Sequence, residues 1–175
     1  PSGPGMPDNL IQQVLTLTIN QAQKSVRITT PYFVPSEELL EELKMTAQRG
    51  VQVDIIIPKK NDSLMVQWAS RAYYEELLVA GVRIFEFNGG LLHTKSVVVD
   101  EMYCLVGTVN LDMRSLWLNF ELTLAVDNVA FTKEMYCLQQ SYINSSSEVS
   151  LLHWKQRKVY YRFLERSFFL FSPLL

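Results

Sequence analysis

Three short runs rich in β-branched residues, with helical stretches between them, constrain the fold of this 175-residue chain more than any other feature. The runs are SVRITT at 25–30, VQVDIIIP at 51–58 and VRIFEF at 82–87. Residues 36–50 and 62–80 lie between them and have helical spacing of apolar side chains. Strand, helix, strand, helix, strand is typical of an α/β domain with a largely parallel sheet.

The helix between the first two runs carries clear boundary signals. Ser36 is a favourable N-cap, Glu37 and Glu38 suit the positive end of the helix, and Gly50 marks its end. An earlier helix is predicted over 8–23, with Asp8 as its N-cap.

The alternation of predicted strands and helices ends after residue 91. HTKSVVV and YCLVG are two β-rich runs joined by about three residues, which predicts an antiparallel hairpin that turns near Asp100 and Glu101. ELTLAV predicts a later strand, 128–146 and the tail from Lys155 predict helices, and SSSE at 145–148 predicts at most a short surface loop. We therefore predict an α/β fold, a mixed sheet flanked by helices on both faces.

Composition limits the domain organisation. A chain that is 48% hydrophobic and 19% charged is globular, and its length fits one domain. We predict a linker over 1–7 and a single domain over 8–175, in which 157–175 forms an amphipathic C-terminal helix. PSGPGMP at the start indicates a piece cut from a longer chain, and neither a signal peptide nor an apolar run of about 18 residues is visible.

Charge and cysteines narrow the function classes. The net charge of −2 weighs against nucleic acid as a partner, although a local basic patch is compatible with it. Cys104 and Cys137 lie in apolar, periodic stretches, so two buried thiols are favoured over a disulfide. Neither cysteine has the spacing of a zinc site.

The hairpin carries an unusual set of polar residues. Side chains alternate along a strand, so His93 and Lys95 should point the same way. The returning strand should bring Gly107, Thr108 and Asn110 beside them. Lys95 and Asn110 can donate to phosphate oxygens, and an imidazole can attack phosphorus or carry a proton. Gly107 is expected to leave room for a ligand next to the backbone.

The pattern His93-x-Lys95-x4-Asp100-x6-Gly107-Thr108-x-Asn110 resembles the HKD motif of the phospholipase D superfamily. The resemblance extends to TPYFVPSEEL, GVQVDIIIP, YYEELLVAGVRIFEF, NLDMRSLWLNFEL and SPLL. These segments cover nearly the whole chain and are similar to the C-terminal half of bacterial cardiolipin synthases, which carry two such motifs. This chain has the second one alone.

The resemblance implies a set of residue roles. The histidines of the family work as a pair, one from each motif: one forms a phosphohistidine and the other transfers the proton. His93 would fill one of these roles, and Glu121 would accept a hydrogen bond from the catalytic histidine, which steadies the imidazolium. Asp100 completes the catalytic motif and is usually structural in this superfamily. Phosphate-binding roles fall on Lys95, Thr108, Asn110 and Arg114; for Arg114, contact with a second phosphate and no contact remain equally open.

The resemblance also implies the reaction: phosphatidylglycerol donates a phosphatidyl unit to a second phosphatidylglycerol, and cardiolipin and glycerol form without metal or other cofactor. The implied partners are an anionic membrane surface, on the cytoplasmic side of a bacterial cell membrane, and the N-terminal HKD half. Two alternatives remain: a homodimeric single-motif phosphodiesterase or nuclease, and an inactive lipid-binding half-domain.

Two further groups are weighed against packing or solvation. Tyr32 and Phe33 follow the end of a predicted strand and could line an acyl or headgroup pocket. Lys59 and Lys60 follow the next strand and could meet anionic headgroups, although a solvated loop is favoured. The basic, aromatic tail suits a membrane interface, but packing of its apolar face on the domain is slightly favoured.

Overall fold

The computed structural model describes residues 1–4 and 10–169. Within them the chain forms one mixed sheet of seven strands, in the order β6-β5-β4-β1-β2-β3-β7. The strands are β1 Ser25–Thr29, β2 Gln52–Pro58, β3 Arg83–Phe87, β4 Ser96–Val99, β5 Tyr103–Gly107, β6 Thr123–Val126 and β7 Ser146–Glu148. The helices are α1 Leu10–Asn20, α2 Glu37–Gln48, α3 Leu64–Ala72, α4 Tyr74–Ala80, α5 Met113–Trp117, α6 Val129–Asn144, α7 Leu151–Lys155 and α8 Val159–Phe169.

The sheet is parallel in its centre and antiparallel on both flanks. β2 pairs in parallel with β1 and β3, whereas β4, β5 and β6 form an antiparallel run that begins on β1. The predicted hairpin is β4–β5, with Asp100 and Glu101 at its turn. The predicted mixed sheet is thus confirmed.

Helices cover both faces of the sheet, as predicted. On one face, Ile11 and Leu15 of α1, Leu43 of α2 and Leu77 of α4 pack against the inward side chains of β1, β2 and β3. On the other face, Tyr142 and Ile143 of α6 pack on a smaller cluster; its buried members are Ile56, Phe85, Phe87 and Leu92. Burial of these two apolar layers holds the site-bearing strand ends in place.

A row of charged side chains crosses the face under α6. Arg27, Asp54 and Arg83 are register neighbours on β1, β2 and β3. The Asp54 carboxylate, 1% exposed, accepts hydrogen bonds from Arg27 at 3.3 and 3.4 Å and from Arg83 at 2.7 and 2.9 Å. The Arg27 guanidinium also stacks on the ring of Tyr136, so the buried charges are paired and covered by α6.

The signals for α2 are confirmed. The Ser36 hydroxyl accepts from the backbone N–H of Leu39 at 3.3 Å, and Gly50 adopts a φ of +92° just after the C-cap. The predicted N-cap of α1, Asp8, lies outside the described residues.

Three predictions about local structure were wrong. Residues 62–80 form two helices that meet at Tyr73. Tyr73 packs against Phe33, and Tyr74 packs against Trp154. Residues 146–148 form the edge strand β7 on β3 and not a loop. The thiol of Cys104 is buried, but that of Cys137 is exposed on α6; both are free.

Both predicted terminal segments lie partly in the described residues. In the predicted linker, Ser2 pairs with the backbone of Glu121 through two hydrogen bonds of 2.9 Å. In the predicted tail helix, α8 packs on α3, where Tyr161 stacks on Trp68 at 6.0 Å. Residues 5–9 and 170–175 lie outside the described part of the chain.

Candidate active site

The candidate site lies along one edge of the sheet. Thr29 at the end of β1 pairs with Ser96 at the start of β4, and Gly107 at the end of β5 pairs with Thr123 at the start of β6. The segments that leave these strand ends are therefore brought together, as is common at the carboxyl edge of parallel strands.

His93 and Lys95 precede β4 rather than lie on it, which corrects their expected place on a strand. Leu92 is buried in the cluster under α6, and the hydroxyl of Thr94 is 3.0 Å from that of Tyr142 on the same helix. The alternating side chains of His93 and Lys95 are thus left on the opposite side of the chain. The Lys95 ammonium donates to the backbone carbonyl of His93 at 2.8 Å and holds this segment in shape.

The electrostatic environment of Lys95 is unusual for a lysine. Partial burial lowers its pKa below the ordinary value, and the negative charges of Glu121, Asp112 and Asp62 oppose this shift. A less strongly hydrated ammonium beside the exposed His93 imidazole is well suited to receive the negative oxygens of a phosphodiester.

Asp100 lies at the other end of the motif from His93. It occupies the β4–β5 turn with a φ of +54°, about 20 Å from His93 if an extended chain is assumed. Its carboxylate accepts backbone N–H groups of Gln23, Lys24 and Ser25 at 2.9, 2.7 and 2.8 Å. Partial burial alone would raise its pKa, but these three hydrogen bonds lower it below the usual value. This places Asp100 in the turn's structure and away from the reacting groups.

Glu121 and Thr108 form a pair that the sequence did not predict. The Thr108 hydroxyl donates to one Glu121 carboxylate oxygen, and Asn119 donates to the other at 3.3 Å. Among the described residues, none forms a hydrogen bond with the His93 ring, so the expected bond from His93 to Glu121 is not formed here. The reason is geometric: Thr108 and Leu122 are held by backbone pairing at 2.9 Å, which sets Thr108 directly beside Glu121.

Gly107 is required for a different reason from the one expected. A Cβ atom at this position would lie 2.1 Å from the carbonyl oxygen of Leu122 and 2.7 Å from the Cα atom of Thr123. The space beside Gly107 is therefore filled by the backbone of the neighbouring strand and not left for a ligand.

Asn110 precedes the short helix α5, and Arg114 is the second residue of that helix. The Asn110 amide donates to the Ser115 hydroxyl at 3.2 Å, while its buried carbonyl oxygen has no hydrogen-bond partner among the described residues. Asp112 caps α5 by accepting from the Ser115 N–H at 2.7 Å, and burial raises its pKa. Arg114 is exposed, so its guanidinium is accessible at this edge.

Asp62 lies near this edge and was not singled out from the sequence. It follows β2 at the same edge, and the Tyr32 hydroxyl donates to its carboxylate at 2.8 Å. The position of Tyr32 after β1 was a usable signal, but nothing in the sequence paired it with Asp62. Phe33, considered with Tyr32, is buried in the core, and Lys59 and Lys60 are exposed.

The described residues contain neither a metal-binding cluster nor a membrane-spanning helix. Within 1–4 and 10–169, no group of three or more His, Cys, Asp or Glu side chains is arranged to hold a metal ion. Over the same residues, no helix has both the length and the apolar character needed to cross a membrane.

Relatives of known name match almost the whole chain. Cardiolipin synthase A of Edwardsiella ictaluri is 56% identical over 174 residues, which is 99% of this chain and 36% of that protein. Cardiolipin synthase A of Klebsiella pneumoniae (strain 342) is 55% identical over the same shares. The chain thus spans about a third of the length of these relatives.

Solved structures agree in fold. Nuc from Salmonella typhimurium, a phospholipase D family member, matches with a TM-score of 0.72 and 19% identity, over 82% of this chain and 93% of that one. Phosphatidylserine synthase from Haemophilus influenzae matches with a TM-score of 0.67 and 19% identity, over 94% of this chain and 42% of that one. At these identities the likeness shows the fold alone.

A family model described as "cardiolipin synthase, PLD-like domain" matches residues 15–141, a span that contains every member of the predicted site. This match covers well over half of the chain and includes the sheet edge that carries His93, Lys95, Thr108 and Glu121. The chain therefore belongs to the family of cardiolipin synthase phospholipase D-like domains.

Proposed function

We propose that this chain supplies one of two HKD half-sites of a phosphatidyltransferase that makes cardiolipin and glycerol from two molecules of phosphatidylglycerol. The observation that carries the proposal is the exposed imidazole of His93 next to the half-buried ammonium of Lys95, on one side of a segment pinned at a sheet edge. The identity to proteins named cardiolipin synthase A supports the choice of substrate class.

The proposed chemistry has two steps. A histidine nitrogen attacks phosphorus, a P–N bond forms, and the P–O bond to the glycerol headgroup breaks as the second histidine protonates the leaving oxygen. The hydroxyl of the acceptor lipid then gives its proton to that second histidine and attacks phosphorus, and the P–N bond breaks. His93 fills one of the two roles, and the other half-site supplies the other histidine.

The neighbours of His93 have supporting roles. Lys95 and Asn110 donate to the non-bridging phosphate oxygens, and Thr108 stands beside them with its hydroxyl oriented by Glu121. Arg114 is free to reach a second phosphate from the rim. Glu121 exchanges its bond from Thr108 for one from a histidine when the two half-sites meet, which steadies the imidazolium.

The second half-site comes from the N-terminal HKD half of the same enzyme. The length of the matched relatives supports this source, because the chain spans 36% of them. A second copy of this chain is the alternative, since symmetric pairing of one patch with itself is common.

The test combines turnover with mass. Labelled phosphatidylglycerol in mixed micelles is given to the chain alone and to the chain with the N-terminal half, while light scattering reports the mass. We expect no product from a monomer and cardiolipin plus glycerol when the N-terminal half is added. Product from a dimer of the chain alone would establish the homodimer, and salt-sensitive DNA cleavage would favour a nuclease. Absence of product in the presence of a docked N-terminal half would favour an inactive lipid-binding module.

His93 provides the sharpest variant. In the complete enzyme, His93→Ala should abolish transfer, because the methyl group of alanine can neither form the P–N bond nor transfer a proton. His153→Ala is the matched control, since His153 lies on α7, away from this edge. Substantial transfer by the His93 variant would refute the assignment.

The proposed place of action is the cytoplasmic side of a bacterial cell membrane, where both lipid substrates reside. α8 contributes exposed aromatic side chains, with Tyr160 63% exposed, while its partner face packs on α3. Binding to anionic vesicles that survives deletion of residues 157–175 would show that the tail has no part in membrane contact.

A further inference from the structure

Tyr32 and Asp62 form a pre-built polar pair next to the phosphodiester site. They lie on the loops that follow β1 and β2, and the Tyr32 hydroxyl donates to one Asp62 oxygen at 2.8 Å. The Asn61 side chain ties the same loops, because its amide donates to the Pro31 carbonyl at 2.7 Å and its oxygen accepts from the Ser63 N–H at 3.0 Å. The pair is therefore held in place without a ligand.

The pair faces solvent and can accept further hydrogen bonds. Asp62 is exposed, and among the described residues its second carboxylate oxygen accepts no hydrogen bond. Burial, the hydrogen bond to Asp62 and the charge of Asp62 raise the pKa of Tyr32 to about 12, so Tyr32 remains a neutral donor at physiological pH. Asp62 is also close enough to Lys95 for its charge to act on that ammonium.

The chemistry of the pair separates it from the phosphate-binding groups. A carboxylate repels a phosphate, but it accepts hydrogen bonds from one or two hydroxyl groups of a neutral polyol. In the proposed reaction, the polyol next to the reacting phosphate is the glycerol headgroup, either of the donor lipid or of the acceptor. In such a lipid the hydroxyl groups of the headgroup lie beside the phosphodiester. In the same way, Asp62, which can accept from hydroxyl groups, lies beside Lys95, which can bind the phosphate.

We propose that Asp62, oriented by Tyr32, binds hydroxyl groups of a glycerol headgroup and so selects glycerol-bearing lipids over lipids with simple alkyl headgroups. This inference rests on the proposed function, and it names specificity-determining residues outside the HKD motif. Tyr32 acts by positioning the carboxylate, while Asp62 touches the substrate.

The test uses the complete two-motif enzyme and the variant Asp62→Asn, whose amide oxygen can still accept from Tyr32. In the donor arm, phosphatidylglycerol is compared with phosphatidylmethanol, and kcat/KM for release of the headgroup alcohol is measured with one fixed acceptor. In the acceptor arm, phosphatidylmethanol is the donor, and glycerol is compared with ethanol as acceptor. Asp127→Asn, at an exposed position beyond β6, is the control.

We expect Asp62→Asn to lower kcat/KM about 10- to 100-fold for the glycerol-bearing substrate in one arm, the size of a lost charge-assisted hydrogen bond. The arm that changes identifies the donor or the acceptor headgroup as the ligand. In that arm the rate with the comparison substrate, phosphatidylmethanol as donor or ethanol as acceptor, should stay within about twofold of the parent value, as should every rate of the Asp127→Asn control. Tyr32→Phe should produce a smaller loss in the same arm, because the carboxylate remains but is less well oriented.

Several results would overturn the inference. An equal loss on both substrates would make Asp62 a general structural residue, as would a lowered melting temperature with parallel loss of all activity. No loss in either arm would remove it from the site. If the parent enzyme releases no glycerol from phosphatidylglycerol, the proposed function itself fails, and this outcome is seen before any variant is compared.

Discussion

The carboxylate of Asp100 should be worth about 3 kcal/mol to the stability of the fold, although it lies far from His93. It accepts three backbone N–H groups, and because these bonds are partly exposed, each contributes about 1 kcal/mol and not the larger value of a buried charged bond. Asp100→Gly removes all three bonds and tolerates the φ of +54°, and the Glu101→Gly control below measures the backbone effect of glycine in this turn. Asp100→Ala should cost about 1 kcal/mol more, since alanine resists a left-handed conformation.

The difference in stability between the parent chain and Asp100→Asn should depend on pH in a defined direction. The folded-state pKa of Asp100 is lowered, so the ionised carboxylate stabilises the fold fully above its unfolded value of about 3.9 and loses that effect as pH falls through the lower folded pKa. Asparagine keeps one acceptor oxygen and the backbone tolerance, and should cost about 1 kcal/mol at pH 7. This difference should be constant from pH 7 to about pH 5 and shrink below pH 4.

Urea unfolding followed by circular dichroism measures both effects. Glu101→Gly is the matched control, because Glu101 is the next residue of the turn, with a φ of +58°. Glycine relieves the left-handed conformation there, so this variant should be as stable as the parent or more so. An Asp100→Gly chain within about 0.5 kcal/mol of the parent, or an Asp100→Asn difference that grows on acidification, would refute the reasoning.

Two further changes, both measured by urea unfolding, test how the sheet is packed. Gly107→Ala should destabilise the chain by about 2 kcal/mol or more, because its Cβ would collide with the Leu122 carbonyl. Gly50→Ala, where the space is open and φ is +92°, should cost about 1 kcal/mol, and equal costs for the two variants would contradict the close approach of β5 and β6. Asp54→Asn should cost about 3–5 kcal/mol, because it leaves the buried Arg27 cation without its counter-charge, and a near-neutral effect would contradict the pairing under α6.

The regular elements were predictable because their signals are local. Ser36, Gly50 and the β-branched run of VQVDIIIP act within a few residues, and the structure follows them. The pairing of Asp54 with Arg27 and Arg83, by contrast, arises from the register of three strands, which no local pattern contains.

The same distinction applies to the site. The motif predicted that His93, Lys95 and Thr108 gather at one edge, since a hairpin brings its two ends together. The motif could not predict that the Thr108 hydroxyl donates to Glu121, or that the Tyr32 hydroxyl donates to Asp62, thirty positions later in the chain. Those contacts depend on how separate loops leave the sheet.

The position of Asp100 has a consequence for how relatives of this chain can diverge. His93 and Asp100 are seven residues apart, but in the proposed function His93 is a reacting group, whereas Asp100 ties the start of β1 to the hairpin turn. A descendant that exchanged His93 for an inert side chain would lose chemistry and keep its turn, and would persist as a folded pseudoenzyme. A surviving aspartate in a degenerate motif would therefore report an intact turn, whereas under the proposed function the histidine would report the capacity for catalysis.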